Sequence, residues 1–218
     1  MVVELARPPV NALNAAMIRE LRYTLDELVD QSPLGLVLYG GNQAFCAGID
    51  VKEVPQYVDA DRAAMVADIN AMITTLYAFP AATVAAIGGS AIGAGMVLAL
   101  ACDVRMAVPD ARLALAEVTA GISYPAGPME VVIAEIDASL RRQLVLSGVP
   151  LPVPEAVTAR LIDEMVTGPE LLAAAIHTAG LRGEAASYAT VKAQLRAVTL
   201  ARMHAIVANP DADGGLSR

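Results

Sequence analysis

Tryptophan is absent from this chain of 218 residues, and phenylalanine occurs only twice. An interior short of large rings must be filled by Ala, Leu, Val and Met, which points to close helix packing and to contacts between subunits. Charged residues are also few, 17% against 56% hydrophobic. No uninterrupted apolar run approaches the roughly 18 residues that span a bilayer, so the apolar excess belongs to a core or to subunit contacts, and no membrane partner is expected. Fifteen Lys and Arg against 23 Asp and Glu leave a formal charge of −8. With the basic residues scattered, there is no concentrated face for phosphate backbones, which argues against nucleic acid. Cys46 and Cys102 stand far apart without a CxxC pattern, and His177 and His204 have no companion at ligand spacing. A disulfide framework, a metal centre and a Cys–His or Ser–His nucleophile therefore have no support. Two reduced, buried thiols suit a cytoplasmic protein, and MVVELARPPV lacks the marks of an export signal.

What is present begins with a short apolar strand at residues 2–6, ended by Arg7-Pro8-Pro9 because proline cannot donate to a ladder. Met17, Ile18, Leu21, Leu25 and Leu28 recur at helical spacing over residues 15–29, with Asn14 as the N-cap. Residues 34–39 form a near-continuous apolar strand, as expected of a sheet covered on both faces. A helix is expected to begin near residues 50–54, and a second amphipathic one covers residues 59–79 until Pro80. Strand, glycine turn and helix then repeat at residues 83–87 and 95–101. Two short strands, 103–108 and 112–116, follow, with Glu117 closing the second and opening an apolar loop, VTAGISYPAGP. From residue 129 the pattern is helical: 129–136, 138–146, 154–159, 169–181 and 185–207, with NPDADGGLSR as a polar, frayed tail. The coarse architecture is an α/β core over residues 1–137 and a helical region over 138–218.

The stretch IGGSAIGAG does not fit nucleotide templates. GxGxxG would need glycine at Leu98, no GK[ST] follows, and Ser90 has Ile92 where a nucleophile elbow needs glycine. Two readings remain: small residues that permit close packing, or a helix N-terminus whose free N–H groups meet a developing negative charge. Glu117 likewise reads either as a solvated strand end or as a buried carboxyl whose pKa rises toward the range useful for proton transfer.

Together RPPVNALN (7–14), AFCAGIDVKE (44–53), IGGSAIGAGMVLALACDVRMA (87–107) and LALAEVTAGI (113–122) resemble the crotonase, or enoyl-CoA hydratase/isomerase, superfamily. Weaker similarity continues through RRQLVLSG (141–148) and PEAVTARLIDEMV (154–166). The resemblance implies a spiral of ββα turns with a C-terminal helical oligomerisation region, a homotrimer or hexamer, and an acyl-CoA substrate. No cofactor or metal is implied, because coenzyme A arrives with the substrate. It also implies that the N–H groups of Ile49 and Ala94 bind the thioester oxygen. Ala47, Gly48, Asp50, Gly93 and Gly95 would surround them. Hydratases of this family carry two glutamates; here the first position is Val97 and the second is Glu117, in ExxxG with Gly121. A lone carboxylate suits a Δ3,Δ2-enoyl-CoA isomerase, with a hydratase, a related hydrolase or an acyl-CoA-binding protein without turnover as alternatives. Tyr124 either lines the acyl pocket or packs, and Lys192 either resembles a family lysine near the CoA phosphates or is solvated. The family's usual first strand precedes Val2, so a late start or a shortened form is expected.

Overall fold

The computed structural model describes residues 1–183 and 185–210. The expected tail falls mostly on residues 211–218, outside the described residues. Eight strands and nine α-helices follow one another among these: β1 (Val2–Glu4), α1 (Ala15–Gln31), β2 (Gly35–Tyr39), β3 (Ala44–Cys46), α2 (Asp59–Ala78), β4 (Ala82–Ile87), β5 (Ser90–Ile92), α3 (Ala94–Ala101), β6 (Val104–Ala107), β7 (Leu113–Ala114), α4 (Glu117–Ala120), α5 (Ala126–Glu135), α6 (Ala138–Ser147), α7 (Val153–Thr158), β8 (Glu164–Met165), α8 (Gly168–Gly183) and α9 (Tyr188–Ala208). All strand pairs are parallel. They form a five-stranded sheet, β1-β2-β4-β6-β8, and a three-stranded sheet, β3-β5-β7. The chain therefore advances in strand–strand–helix units, in which the first strand enters the large sheet and the second the small one.

Local chemistry accounts for the main elements. The Asn14 side chain accepts the Met17 N–H and starts α1, which buries Ile18, Leu21, Leu25 and Leu28. Asp59 and Asp61 lie in the first turn of α2, where the helix dipole favours negative charge. This helix buries more than the expected stripe of Met65, Ile69, Met72, Ile73 and Leu76. Val66, Asn70, Thr74 and Tyr77 are buried too, because α1, α5 and α9 enclose it. Every residue of β4 is buried, as a central strand covered on both faces requires. One hydrophobic cluster runs from Leu5 to Met203 and includes side chains of α6, α7 and α8. Among the described residues no helix is long and apolar enough to cross a membrane.

Four expectations need correction. The helix expected to begin near residues 50–54 is only a 3-10 turn at Val54–Gln56, preceded by a turn in which Asp50 Oδ1 accepts the N–H groups of Lys52 and Glu53. The glycine turn contains a strand, β5, too short to show periodicity. Glu117 opens α4 rather than closing a strand. α5 begins three residues earlier than residue 129, so the last part of the supposed loop is helical.

Lys192 requires the largest correction. Its ammonium is not solvated: it is buried and donates to Asp103 Oδ2 at 2.8 Å and to the Ala81 carbonyl at 3.1 Å. Arg196 reaches Asp103 Oδ1 at 3.0 Å, and the Tyr188 hydroxyl donates to Oδ2 at 3.0 Å. The Arg196 guanidinium also stacks on the Tyr77 ring at 3.9 Å. Asp103 follows the C-terminus of α3, so this cluster joins α9 to the core at the end of α3 remote from Ala94. Asp103→Ala would leave the buried Lys192 without its carboxylate and Arg196 with only the more distant Glu135, at 3.7 Å, and breaking a buried pair in this way costs ~3–5 kcal/mol. Urea denaturation should show a stability loss of that order.

Candidate active site

The site is built from backbone. β3 delivers the chain to Ala47-Gly48-Ile49-Asp50, which pairs with Leu13 on one edge. Leu13 N–H donates to the Gly48 carbonyl at 2.7 Å, and Asp50 N–H donates to the Leu13 carbonyl at 2.9 Å. In such a parallel bridge the residue between these two, Ile49, turns its own N–H and C=O to the opposite edge. That edge faces the end of β5. Gly48 has φ 81°, and a Cβ added to it would stand 2.6 Å from the Ile92 carbonyl oxygen and 3.2 Å from the Ala94 nitrogen.

Ala94 is the first residue of α3, so its N–H has no carbonyl partner within the helix. The N–H groups of Ile49 and Ala94 make no backbone hydrogen bond among the described residues. Two free donors thus belong to backbone segments in close approach, one of them at the positive end of a helix dipole. Gly95 is required for the same approach: a Cβ there would fall 2.1 Å from the Cys46 carbonyl oxygen.

The carboxyl of Glu117 enters from the third unit. Gly93 N–H donates to the Ala114 carbonyl at 2.8 Å, which places the start of α3 beside the end of β7. A Cβ on Gly93, whose φ is 54°, would meet Glu117 Oε1 at 3.2 Å. The Glu117 carboxyl therefore lies against Gly93, the residue that precedes the free Ala94 N–H. Only 5% of Glu117 is exposed, and its Oε2 has no hydrogen-bond partner. Burial raises the Glu117 pKa above the ordinary 4.5, while the adjacent Tyr124 hydroxyl pulls the other way. That hydroxyl is itself buried and falls short of a well-formed hydrogen bond to the carboxyl. Burial and the neighbouring carboxylate both raise the Tyr124 pKa, so the phenol stays protonated.

Ala47, Gly48, Ile49, Gly93, Ala94, Gly95, Glu117 and Tyr124 thus come together. Val97 lies one turn into α3, 1% exposed, and supplies no second carboxylate. Gly121 acts through the backbone: its left-handed φ of 69° ends α4, and its N–H bonds to carbonyls of Glu117 and Val118. Asp50 is turned away to Arg7, at 2.8 Å. Asn11 was not foreseen as part of this arrangement, although it stands in the RPPVNALN motif. Its buried amide donates to the carbonyls of Gly40, Ala44 and Phe45, so it fixes β3 just before the donor loop. Among the described residues no group of His, Cys, Asp and Glu is arranged to hold a metal ion.

Stacked parallel sheets advancing in ββα units, with two backbone donors beside a buried carboxyl, define an α/β protein of the crotonase type. The chain belongs to the enoyl-CoA hydratase/isomerase family, whose model matches residues 1–210. The human mitochondrial enoyl-CoA hydratase domain-containing protein 2 is 34% identical over 158 residues, covering 72% of this chain and 54% of that protein. Its bovine counterpart is 32% identical over 195 residues, 88% of this chain and 66% of the relative. The chain therefore spans between half and two thirds of these relatives. Human mitochondrial Δ3-Δ2-enoyl-CoA isomerase superposes with a TM-score of 0.87 at 26% identity, covering 97% of this chain and 84% of that one. An enoyl-CoA hydratase from Mycobacterium ulcerans shares the fold, with a TM-score of 0.90 at 24% identity over 98% and 95% of the two chains.

Gly48→Ala tests the close approach of the two loops. The left-handed backbone alone should cost ~1–2 kcal/mol, and the added methyl must push Ile92 and Ala94 away. Thermal denaturation should show a loss of stability of at least that size.

Proposed function

We propose that the chain is an acyl-CoA enzyme that stabilises a thioester enolate, and that its reaction is Δ3,Δ2-enoyl-CoA isomerisation. The thioester oxygen accepts hydrogen bonds from the Ile49 and Ala94 N–H groups. Glu117 takes a proton from C2 of a 3-enoyl-CoA, the electron pair spreads over the dienolate, and the same carboxyl returns a proton to C4. The double bond ends conjugated at C2, and Glu117 is again ionised. Each preorganised donor in a water-poor site is worth ~3 kcal/mol of transition-state stabilisation. The observation that carries this reading is the pairing of one buried carboxyl, Glu117, with a valine, Val97, where a second would act.

A second reading is hydration of a 2-enoyl-CoA, favoured by the Tyr124 hydroxyl, which is buried beside Glu117 with a hydrogen bond to spare for a water. A homotrimer or hexamer belongs to the same proposal. Val118 of α4 and the neighbouring Leu146 and Val149 are exposed and offer apolar surface for it. Light scattering tests the assembly.

Incubation with 3-enoyl-CoA and 2-enoyl-CoA separately, followed by absorbance, distinguishes conjugation from hydration. Migration of the double bond supports isomerisation; hydration alone favours the second reading, and binding without turnover favours a non-catalytic acyl-CoA protein. Glu117→Gln should lose at least a hundredfold in turnover, the range of a positioned acid–base group, and keep its affinity for acyl-CoA.

The pH dependence follows from the raised pKa of Glu117. The base must be ionised, so activity should fall as pH drops through a value above 4.5. Because the folded pKa is above the unfolded one, this group opposes folding at neutral pH, and that penalty disappears as pH falls through the folded pKa. Glu117→Gln should accordingly be at least as stable as the parent at pH ~7, as read from its melting temperature.

A further inference from the structure

The donor loop has little regular structure to hold it. Ile49 belongs to a single bridge with Leu13 and to no strand. An oxyanion donor acts through preorganisation, and a displacement of about 1 Å costs on the order of a hundredfold in rate. Something must therefore fix residues 48–50 against the rest of the chain.

Arg7 grips both sides of the donor. Its Nη1 lies 2.8 Å from Oδ2 of Asp50, the residue after Ile49. The same nitrogen donates at 2.9 Å to the carbonyl of Ala12, the residue before Leu13. Its Nη2 donates to Glu53 Oε2 at 2.9 Å. Asp50 Oδ1 in turn accepts the N–H groups of Lys52 and Glu53, both at 3.0 Å, which closes the turn that follows. Glu53 also accepts the Asn14 amide at 3.0 and 3.1 Å and the Tyr57 hydroxyl at 2.5 Å. Asn14 is the N-cap of α1. The end of β1, the start of α1 and the donor loop are thus fused through one guanidinium.

We infer that Arg7 is a positioning residue for the thioester site, holding the Ile49 N–H in place through Asp50 and Ala12. This rests on the reading of Ile49 as a thioester-oxygen donor. The Arg7 side chain is 35% exposed and that of Glu53 38%, and an ion pair this exposed contributes little to global stability; Asp50, at 16%, is the more buried partner. The cluster has a geometric role instead: it connects three backbone segments at the one loop where a small shift moves a donor. Asp50, whose carboxylate is fully engaged with Arg7 and the turn, acts in this clamp rather than on the substrate.

The test is the carbonyl stretch of a bound acyl-CoA labelled with 13C at the thioester carbon, read by difference infrared spectroscopy together with kcat and KM. The parent protein should lower the stretch relative to free acyl-CoA. Arg7→Met should lose most of that shift and ~10–100-fold in kcat, with KM changed by less than about threefold, since uniform binding is untouched. Arg7→Lys should recover part of both. Asp50→Asn, which preserves shape, should reproduce Arg7→Met, and the double variant should add little further loss, because the two act as one unit. Asp50→Asn also carries the test if Arg7→Met does not fold. A parent-sized shift in these variants overturns the inference. So does weakened binding with an intact shift, which would make Arg7 a direct contact to the substrate's anionic part. Absence of any shift in the parent overturns the thioester reading itself.

Discussion

The site depends on two backbones approaching until they touch. Helix α3 begins so close to the end of β3 that a single methyl on Gly95 would overlap the Cys46 carbonyl, and one on Gly48 would overlap the Ile92 carbonyl. That approach brings a loop carrying one free N–H close to a helix start carrying another. The small sheet exists to enforce it: β3, β5 and β7 are each two or three residues long, yet their pairing sets the register of all three contributing segments. No side chain could fit between these backbones without displacing them, so the two N–H groups are fixed by the fold itself, which is the condition for electrostatic preorganisation.

Helix α3 also links the site to the rest of the molecule. Its N-terminus carries Ala94, and its eight residues span about 12 Å to the buried cluster around Asp103. There Lys192 and Arg196 place positive charge near the carbonyl end of the helix, the arrangement its dipole favours. At the other end, Glu117 brings a carboxyl beside the positive end of the same helix, but burial keeps its pKa raised. A carboxyl kept from full solvation or pairing is a better proton acceptor than one in a salt bridge. Glu117 is thus buried at 5% exposure with no hydrogen-bond partner for Oε2.

The sequence showed the two donor loops and the odd acidic residue because each is written locally: glycines at positions that cannot hold a side chain, and a glutamate heading an apolar segment. The helices α1 and α2 and the central strands were legible from periodicity and from continuous apolar runs. The small sheet was not, because strands as short as Ser90–Ile92 carry no period. The burial of Lys192 is not legible for a related reason. A lysine in a helix with polar neighbours looks solvated, and only its meeting with Asp103, 89 positions away in sequence, makes it buried. Arg7, Asn11 and Glu53 stood in the motifs, but their hydrogen bonds across 29 to 46 positions are set by the fold and by no local pattern.

The central claim is that this crevice turns a thioester into an enolate with Glu117 as the base. Proton exchange reports that step without requiring a double bond to move or water to add. A saturated acyl-CoA incubated with the protein in D2O, followed by proton NMR, should lose its C2 proton signal at a rate proportional to protein concentration, and Glu117→Gln should abolish the exchange. No exchange above the rate in buffer, or exchange unchanged by that substitution, would contradict the account.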